Sequence, residues 1–211
     1  MIAIIDYGSG NLRSIQRAIE SHGAETTITP DLDVIRTADA VILPGVGNAS
    51  HAMERLRQLG MDSVIVETVK SGKPFIGICV GMQVLFEAQE EGDSRGLGLL
   101  PGRVRKLRDS EKVPHIGWNL SHAIKYPLTS LPNPSPYYYF VHSFVAEPND
   151  SSDIAAVAQY GEQFPSAVIR ENVWGTQFHP EKSGVDGLAF LGLWVETVRQ
   201  SQAALTTPDL A

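Results

Sequence analysis

Lys73-Pro-Phe-Ile-Gly-Ile-Cys79-Val-Gly-Met-Gln83 sets Gly77-x-Cys79-x-Gly81 between a short apolar run and a segment of helical composition. This is the nucleophile-elbow pattern with sulfur in place of oxygen. A tight turn lifts the middle residue off the C-terminal edge of a sheet, and the small flanking residues leave room for it. A helix over Met82–Gln89 would aim N–H groups and a positive dipole end at the sulfur, which favours thiolate. A buried structural cysteine explains the pentapeptide equally well.

Outward from this stretch the chain alternates strands and helices. Ile2–Ile5, Thr26–Thr29, Ala40–Leu43 and Phe75–Ile78 read as strands. Leu12, Ile15 and Ile19 recur at helical spacing before Gly23, and Ala49–Leu59 and Ser63–Lys70, the latter with Asp62 as N-cap, read as helices. Such alternation predicts βαβ units, hence an α/β fold with a mostly parallel central sheet flanked by helices. From about Gly96 to Phe164 short strands with Pro and Gly turns predict an antiparallel extension. Lys125–Pro136, with prolines at 127, 132, 134 and 136, reads as an exposed loop. Val168–Ile169 and Trp174–Phe178 are the last expected strands, and Leu188, Leu191, Trp194, Val195 and Val198 mark a final amphipathic helix. Residues 1–203 are expected to form one domain and 204–211 a flexible tail.

Composition narrows the function classes. The 211 residues carry 17 basic and 24 acidic side chains, a formal charge of −7. An acidic surface disfavours nucleic acid, since phosphate binding needs clustered Lys and Arg. The basic run Arg103, Arg105, Lys106 and Arg108 alternates like the solvent face of a strand. No signal-peptide pattern follows Met1 and no apolar run reaches the ~18 residues of a membrane span. With one cysteine and no disulfide framework, a cytoplasmic, reducing setting is expected. His22, His51, His115, His122 and His142 match no zinc spacing, so neither metal nor cofactor is expected.

Two further elements bear on Cys79. Gln177-Phe-His179-Pro-Glu181 follows an apolar segment. Pro180 ends the strand there and stiffens the turn that carries Glu181, so the carboxylate can take a hydrogen bond from the far imidazole nitrogen and fix its tautomer. Leu43-Pro-Gly45-Val46-Gly47 ends a strand in a loop with two glycines, free to turn N–H groups inward. Alone it is an ordinary βα turn; beside an elbow cysteine it is what an oxyanion hole needs.

These segments resemble the class I (triad) glutamine amidotransferases, with their flavodoxin-like fold. The closer likeness is to the glutaminase subunits that serve imidazole glycerol phosphate synthase in histidine biosynthesis. Six ordered segments carry it: the elbow, Ile5–Ser14, Pro44–Gly47, Val113–Asn119, Tyr138–Ser143 and His179-Pro-Glu-Lys-Ser183. The triad alone also fits amidotransferases that feed pyridoxal phosphate synthesis or chorismate amination. The Asp-Tyr-Gly-Ser-Gly-Asn start and the Lys182-Ser183 extension argue against those. A catalytically silent module should have lost a triad member, and this chain keeps all three.

The resemblance implies that Cys79 attacks the carboxamide of glutamine, His179 takes the thiol proton and passes one to the departing ammonia, and Glu181 holds His179. It implies oxyanion donors at the Val46 and Val80 N–H groups, although the family pattern has Leu where Val80 stands. Gly45, Gly47, Gln83, Ser143 and Phe144 would hold the substrate. The implied partner is a (β/α)₈-barrel cyclase subunit, forming a heterodimer. It would receive the ammonia and make imidazole glycerol phosphate and aminoimidazole carboxamide ribotide. Tyr139, Lys182, Trp118 and Asn119 would lie at or near the docking face. The Asp6–Arg13 loop lacks the G-x-G-x-x-G spacing of a nucleotide site.

Overall fold

The apolar runs that bracket the elbow pair with one another. The computed structural model describes residues 1–108 and 111–206. Its first half runs β1 (Ile2–Ile5), α1 (Leu12–Glu20), β2 (Thr26–Thr29), α2 (Leu32–Thr37), β3 (Ala40–Gly45), α3 (Ala49–Gln58), α4 (Met61–Lys70), β4 (Phe75–Cys79) and α5 (Val80–Gln83). There follow β5 (Phe86–Gln89), β6 (Ser94–Arg95), β7 (Leu100–Lys106), β8 (His115–Ala123), β9 (Tyr137–His142) and β10 (Phe144–Pro148). The last elements are β11 (Ile154–Tyr160), β12 (Glu162–Arg170), β13 (Val173–Thr176) and α6 (Gly184–Thr206).

Nine strands form one sheet in the order β2-β1-β3-β4-β13-β12-β11-β8-β9. The pairs from β2 to β13 are parallel, and those from β13 to β9 are antiparallel. Every residue of β1, β3 and β4 is buried, as parallel strands covered on both faces require. Helix α1 packs on α6, and α4 on both α2 and α3. A second sheet, β10-β7-β5-β6, lies beside the first.

Two local expectations need correction, and one helix is additional. Met82–Gln89 is not a helix. It stops after the single turn of α5, and Phe86–Gln89 pairs with β7. Phe86 and Gln89 are both buried there, and the Gln89 amide donates to the Gln83 carbonyl at 2.7 Å, so tertiary pairing overrides local helix preference. Helix α4 begins after Gly60, whose φ of 66° only glycine adopts readily, rather than at an Asp62 cap. Helix α2, capped by the Asp31 carboxylate on the N–H groups of Asp33 and Val34, is too short at six residues to show as a period.

The 125–136 segment is largely exposed, as expected, but anchors itself through buried Leu128. The basic run lies on and just beyond β7, a strand paired on both sides, and is neutralised by acid. Arg105 bonds Glu147 at 3.1 Å and Glu162 at 2.7 Å, and Arg108 reaches Glu162 at 3.3 Å. Of the expected 204–211 tail, residues 207–211 lie outside the described residues.

Candidate active site

Strand β4 ends in a strained turn. Cys79 has φ 55° and ψ −110°, a conformation that costs a side-chain-bearing residue of order 1–3 kcal/mol. The residues two positions either side of it must be glycine. A Cβ on Gly81 would lie 1.9 Å from the Leu43 carbonyl oxygen, and one on Gly77 would lie 2.4 Å from that of Gly81. The helix beyond has only four residues, so its dipole does far less for the sulfur than the eight-residue helix expected from the sequence. A polar side chain and a backbone carbonyl supply the environment instead. The Gln177 amide donates to Sγ at 3.7 Å, and the thiol itself points at the Val141 carbonyl at 3.9 Å.

His179 sits at the end of the chain leaving β13, before a 3₁₀ turn that opens on Pro180. Its Nδ1 bonds Glu181 Oε1 at 2.9 Å, with both side chains sealed from solvent. Its Nε2 is buried without a hydrogen-bond partner, and the ring lines the same cavity as Cys79. Burial alone would lower the proton affinity of this imidazole. The Cys79 sulfur and the Glu181 carboxylate outweigh it and push its pKa up to about 9. Burial likewise raises Glu181, but the hydrogen bonds from His179 and Asn11 win and hold it below the usual carboxylate range.

Contacts from Asn11, Ser183 and Tyr139 fix this pair. Asn11 Nδ2 donates to Glu181 Oε1 at 2.9 Å. Ser183 Oγ donates to the His179 carbonyl at 2.6 Å and accepts from the Tyr139 N–H at 3.0 Å, while the His179 N–H donates to the Tyr139 carbonyl at 2.9 Å. The imidazole backbone is thereby laced to β9.

Opposite lies the glycine loop. A Cβ on Gly45 would meet the Gly81 nitrogen at 2.7 Å, so this loop and the elbow touch through backbone. Gly47 has φ 88°. The Val46 N–H lies 3.4 Å from Ser9 Oγ, which in turn donates to the Val46 carbonyl at 3.1 Å. In this resting arrangement the Val46 N–H faces Ser9.

Between these elements is a cavity of about 220 Å³. That is smaller than the ~300–1,000 Å³ of drug-sized sites and suits one small amino acid. Cys79, His179, Val46, Gly47, Val80, Gln83, Ser143 and Phe144 all line it, with Gly45 behind the elbow and Glu181 behind the imidazole. Gln83 donates to the Phe144 carbonyl at 3.2 Å and to Gln177 Oε1 at 3.1 Å. Four residues that were given no role in the sequence stand here too. Asn11 and Gln177 lay inside quoted segments. His142 lines the wall and bonds His115 at 2.9 Å, and burial lowers its pKa to about 3. Glu91, also in the lining, caps the Ala49 N–H at 2.7 Å and follows no pattern that singles it out.

Away from the cavity, Trp118 is 57% exposed and meets Tyr139 edge to face at 6.2 Å, while Lys182 Nζ stands 5.5 Å from the centre of the Tyr139 ring. These three form one surface. The Asn119 amide is instead bound into the fold, donating to the Gln159 carbonyl at 2.9 Å. Among the described residues, no group of His, Cys, Asp and Glu could hold a metal, and no helix is long and apolar enough to cross a membrane.

Comparison with known proteins identifies the family. A family model described as glutamine amidotransferase class-I matches residues 3–191. The chain is 45% identical over 201 residues to the imidazole glycerol phosphate synthase subunit HisH of Oceanobacillus iheyensis, covering 94% of this chain and 100% of that protein. It is 46% identical over 198 residues to the subunit HisH of Herpetosiphon aurantiacus, covering 93% and 94%. Among solved structures, a glutamine amidotransferase superposes with a TM-score of 0.75 at 18% identity, covering 94% of this chain and 100% of the other. PurLQS from Thermotoga maritima gives 0.68 at 21% identity, covering 98% of each. These last two share the fold. The chain belongs to the class-I glutamine amidotransferase family.

Proposed function

We propose that this chain is the glutaminase subunit of an imidazole glycerol phosphate synthase, acting in the cytoplasm as one amidotransferase domain over residues 1–203. The observation that carries the chemistry is His179: one nitrogen bound to Glu181, the other bare and buried beside Cys79. An imidazole so held is oriented to move a proton between sulfur and substrate. The relatives named HisH, alike over nearly the whole chain, support the pathway.

In this reading the Cys79 thiolate attacks the side-chain carbonyl carbon of glutamine. The Val46 and Val80 N–H groups stabilise the oxyanion, the first after turning away from Ser9. Protonated His179 gives its proton to the departing nitrogen, and ammonia leaves a glutamyl thioester. His179 then deprotonates water, which hydrolyses the thioester and returns glutamate and the thiol. Glu181 stabilises the imidazolium throughout. Gly47 and the backbone of Ser143 and Phe144 hold the amino-acid end, while Gly45 lets the loop close against the elbow. The Gln83 side-chain oxygen, its donors already engaged, is left for substrate, and Glu91 offers a carboxylate for the ammonium group.

Ammonia in water at neutral pH is mostly ammonium, which is not a nucleophile, so the product must pass through an enclosed route. We assign the receiving partner as a (β/α)₈-barrel cyclase subunit, docked on the Tyr139, Lys182 and Trp118 surface, with Asn119 beside it as a structural support. It would convert a phosphoribulosyl-formimino carboxamide ribonucleotide to imidazole glycerol phosphate and aminoimidazole carboxamide ribotide. The test is glutaminase activity with and without that partner and its ligand. Slow turnover alone and a large increase in the complex are expected; fast and equal turnover in the isolated chain would overturn the reading.

A further inference from the structure

Gln177 is wholly buried, and the hydrogen-bond partner of its side-chain nitrogen is the sulfur of Cys79, at 3.7 Å. The direction of this amide is fixed by its neighbours. Gln83 Nε2 donates to the Phe144 carbonyl at 3.2 Å, which only a nitrogen can do. The same Nε2 donates to Gln177 at 3.1 Å, so the Gln177 oxygen faces Gln83 and its NH₂ group faces the sulfur. Gln83 is itself held, because Gln89 donates to its carbonyl at 2.7 Å. A chain of three glutamines thus ends on the reacting atom.

A neutral thiol is a poor acceptor, and a buried amide N–H gains little from it. A thiolate is a charged acceptor, and hydrogen bonds to charged groups are roughly twice as strong as neutral ones. The arrangement is therefore better matched to the ionised sulfur than to the resting thiol. The short helix α5 leaves that need unfilled by a dipole.

We propose that Gln177 is a catalytic residue that donates to the Cys79 thiolate, with Gln83 as the residue that positions it. The inference rests on Cys79 being the nucleophile. As sulfur bonds to the substrate carbon its charge passes to the oxyanion, so the Gln177 contact favours formation of the attacking thiolate and the return of the sulfur as leaving group.

Cys79 is the single cysteine of the chain, so alkylation by iodoacetamide reads it alone. The rate is measured against pH, by mass spectrometry of the intact protein, in wild type and in Gln177→Met. Methionine keeps the length and removes the donor. The midpoint should rise by about one pH unit, with a roughly tenfold slower rate near neutral pH and an unchanged plateau at high pH. A purely structural role would lower the plateau and leave the midpoint alone, and that result overturns the proposal. Should the variant not fold, wild type labelled with ¹⁵N-glutamine gives the answer. The Gln177 side-chain NH₂ signals should move with the titration of the thiol, and signals that stay still overturn it. A wild-type Cys79 that resists alkylation at every pH would instead sink the nucleophile assignment itself.

Discussion

Asn11 and Glu181 lie 170 positions apart, yet the Asn11 amide donates at 2.9 Å to the same carboxylate oxygen that receives the His179 Nδ1 hydrogen bond. The other Glu181 oxygen is buried without a partner. Two donors on one oxygen hold the carboxyl below its usual range in a site where burial alone would raise it. The N-terminal glycine loop therefore reaches the proposed His179–Glu181 pair through Asn11.

Asn11→Ala should lower kcat about tenfold, the scale of losing a ~1.5 kcal/mol hydrogen bond to a charged group. Without that donor the carboxyl of Glu181 rises, so activity should fall away at a higher pH on the acid side than in wild type. A glutaminase pH profile with the partner present checks this, and an unmoved acid limb would count against it.

Cys79→Ala should abolish glutamine-dependent synthesis by the complex while synthesis from added ammonium salts continues. The partner needs only ammonia, and the alanine removes one sulfur. Product formation from each nitrogen source is the measurement. Surviving glutamine-dependent synthesis would remove Cys79 from the mechanism.

Cys79 and Glu181 outweigh burial at His179 and push its pKa up to about 9. Its folded pKa lies above the unfolded value. The protonated ring therefore contributes stability that is complete below about pH 6.5 and lost as pH rises through its folded pKa. In Cys79→Ala one of the raising partners is gone, and the midpoint should fall. The imidazole proton signals, followed by NMR in both proteins, will show it; identical midpoints would refute the assigned cause.

Gly81→Ala should destabilise the fold by at least about 2 kcal/mol, the middle of the range for overpacked cores. The added methyl would sit 1.9 Å from the Leu43 carbonyl oxygen, which belongs to the central strand β3 and cannot yield. Gly47→Ala meets no atom within 4 Å but holds φ 88°, so its cost should be backbone strain and smaller. Urea midpoints of the two variants rank them.

Glu162 receives two arginines, and the Arg105 guanidinium holds its carboxyl below the usual range despite burial. A depressed carboxylate gives stability that is present above its unfolded pKa and lost as pH falls. Wild type should therefore exceed Glu162→Gln in stability near neutral pH, with the gap closing on acidification. Urea unfolding at the two ends of that range tests the sign.

The local sequence by itself determined much of this protein. Continuous apolar runs at Ile2, Ala40 and Phe75 point to strands covered on both faces, and glycines at 77 and 81, two positions either side of the cysteine, mark the tight turn that carries it. His179 and Glu181, two residues apart around a proline, were legible for the same reason: their geometry is set within one turn. Tertiary structure alone decided what reaches them from far along the chain. Phe86–Gln89 became a strand because a second sheet was there to pair with it. Asn11 meets Glu181 because β1 runs parallel to β3 and β4 and delivers its following loop to the same sheet edge. Gln177, read only as part of a strand, acquired a sulfur to donate to when β13 settled beside β4, since a hydrogen bond across 98 positions has no period or spacing in the sequence to announce it.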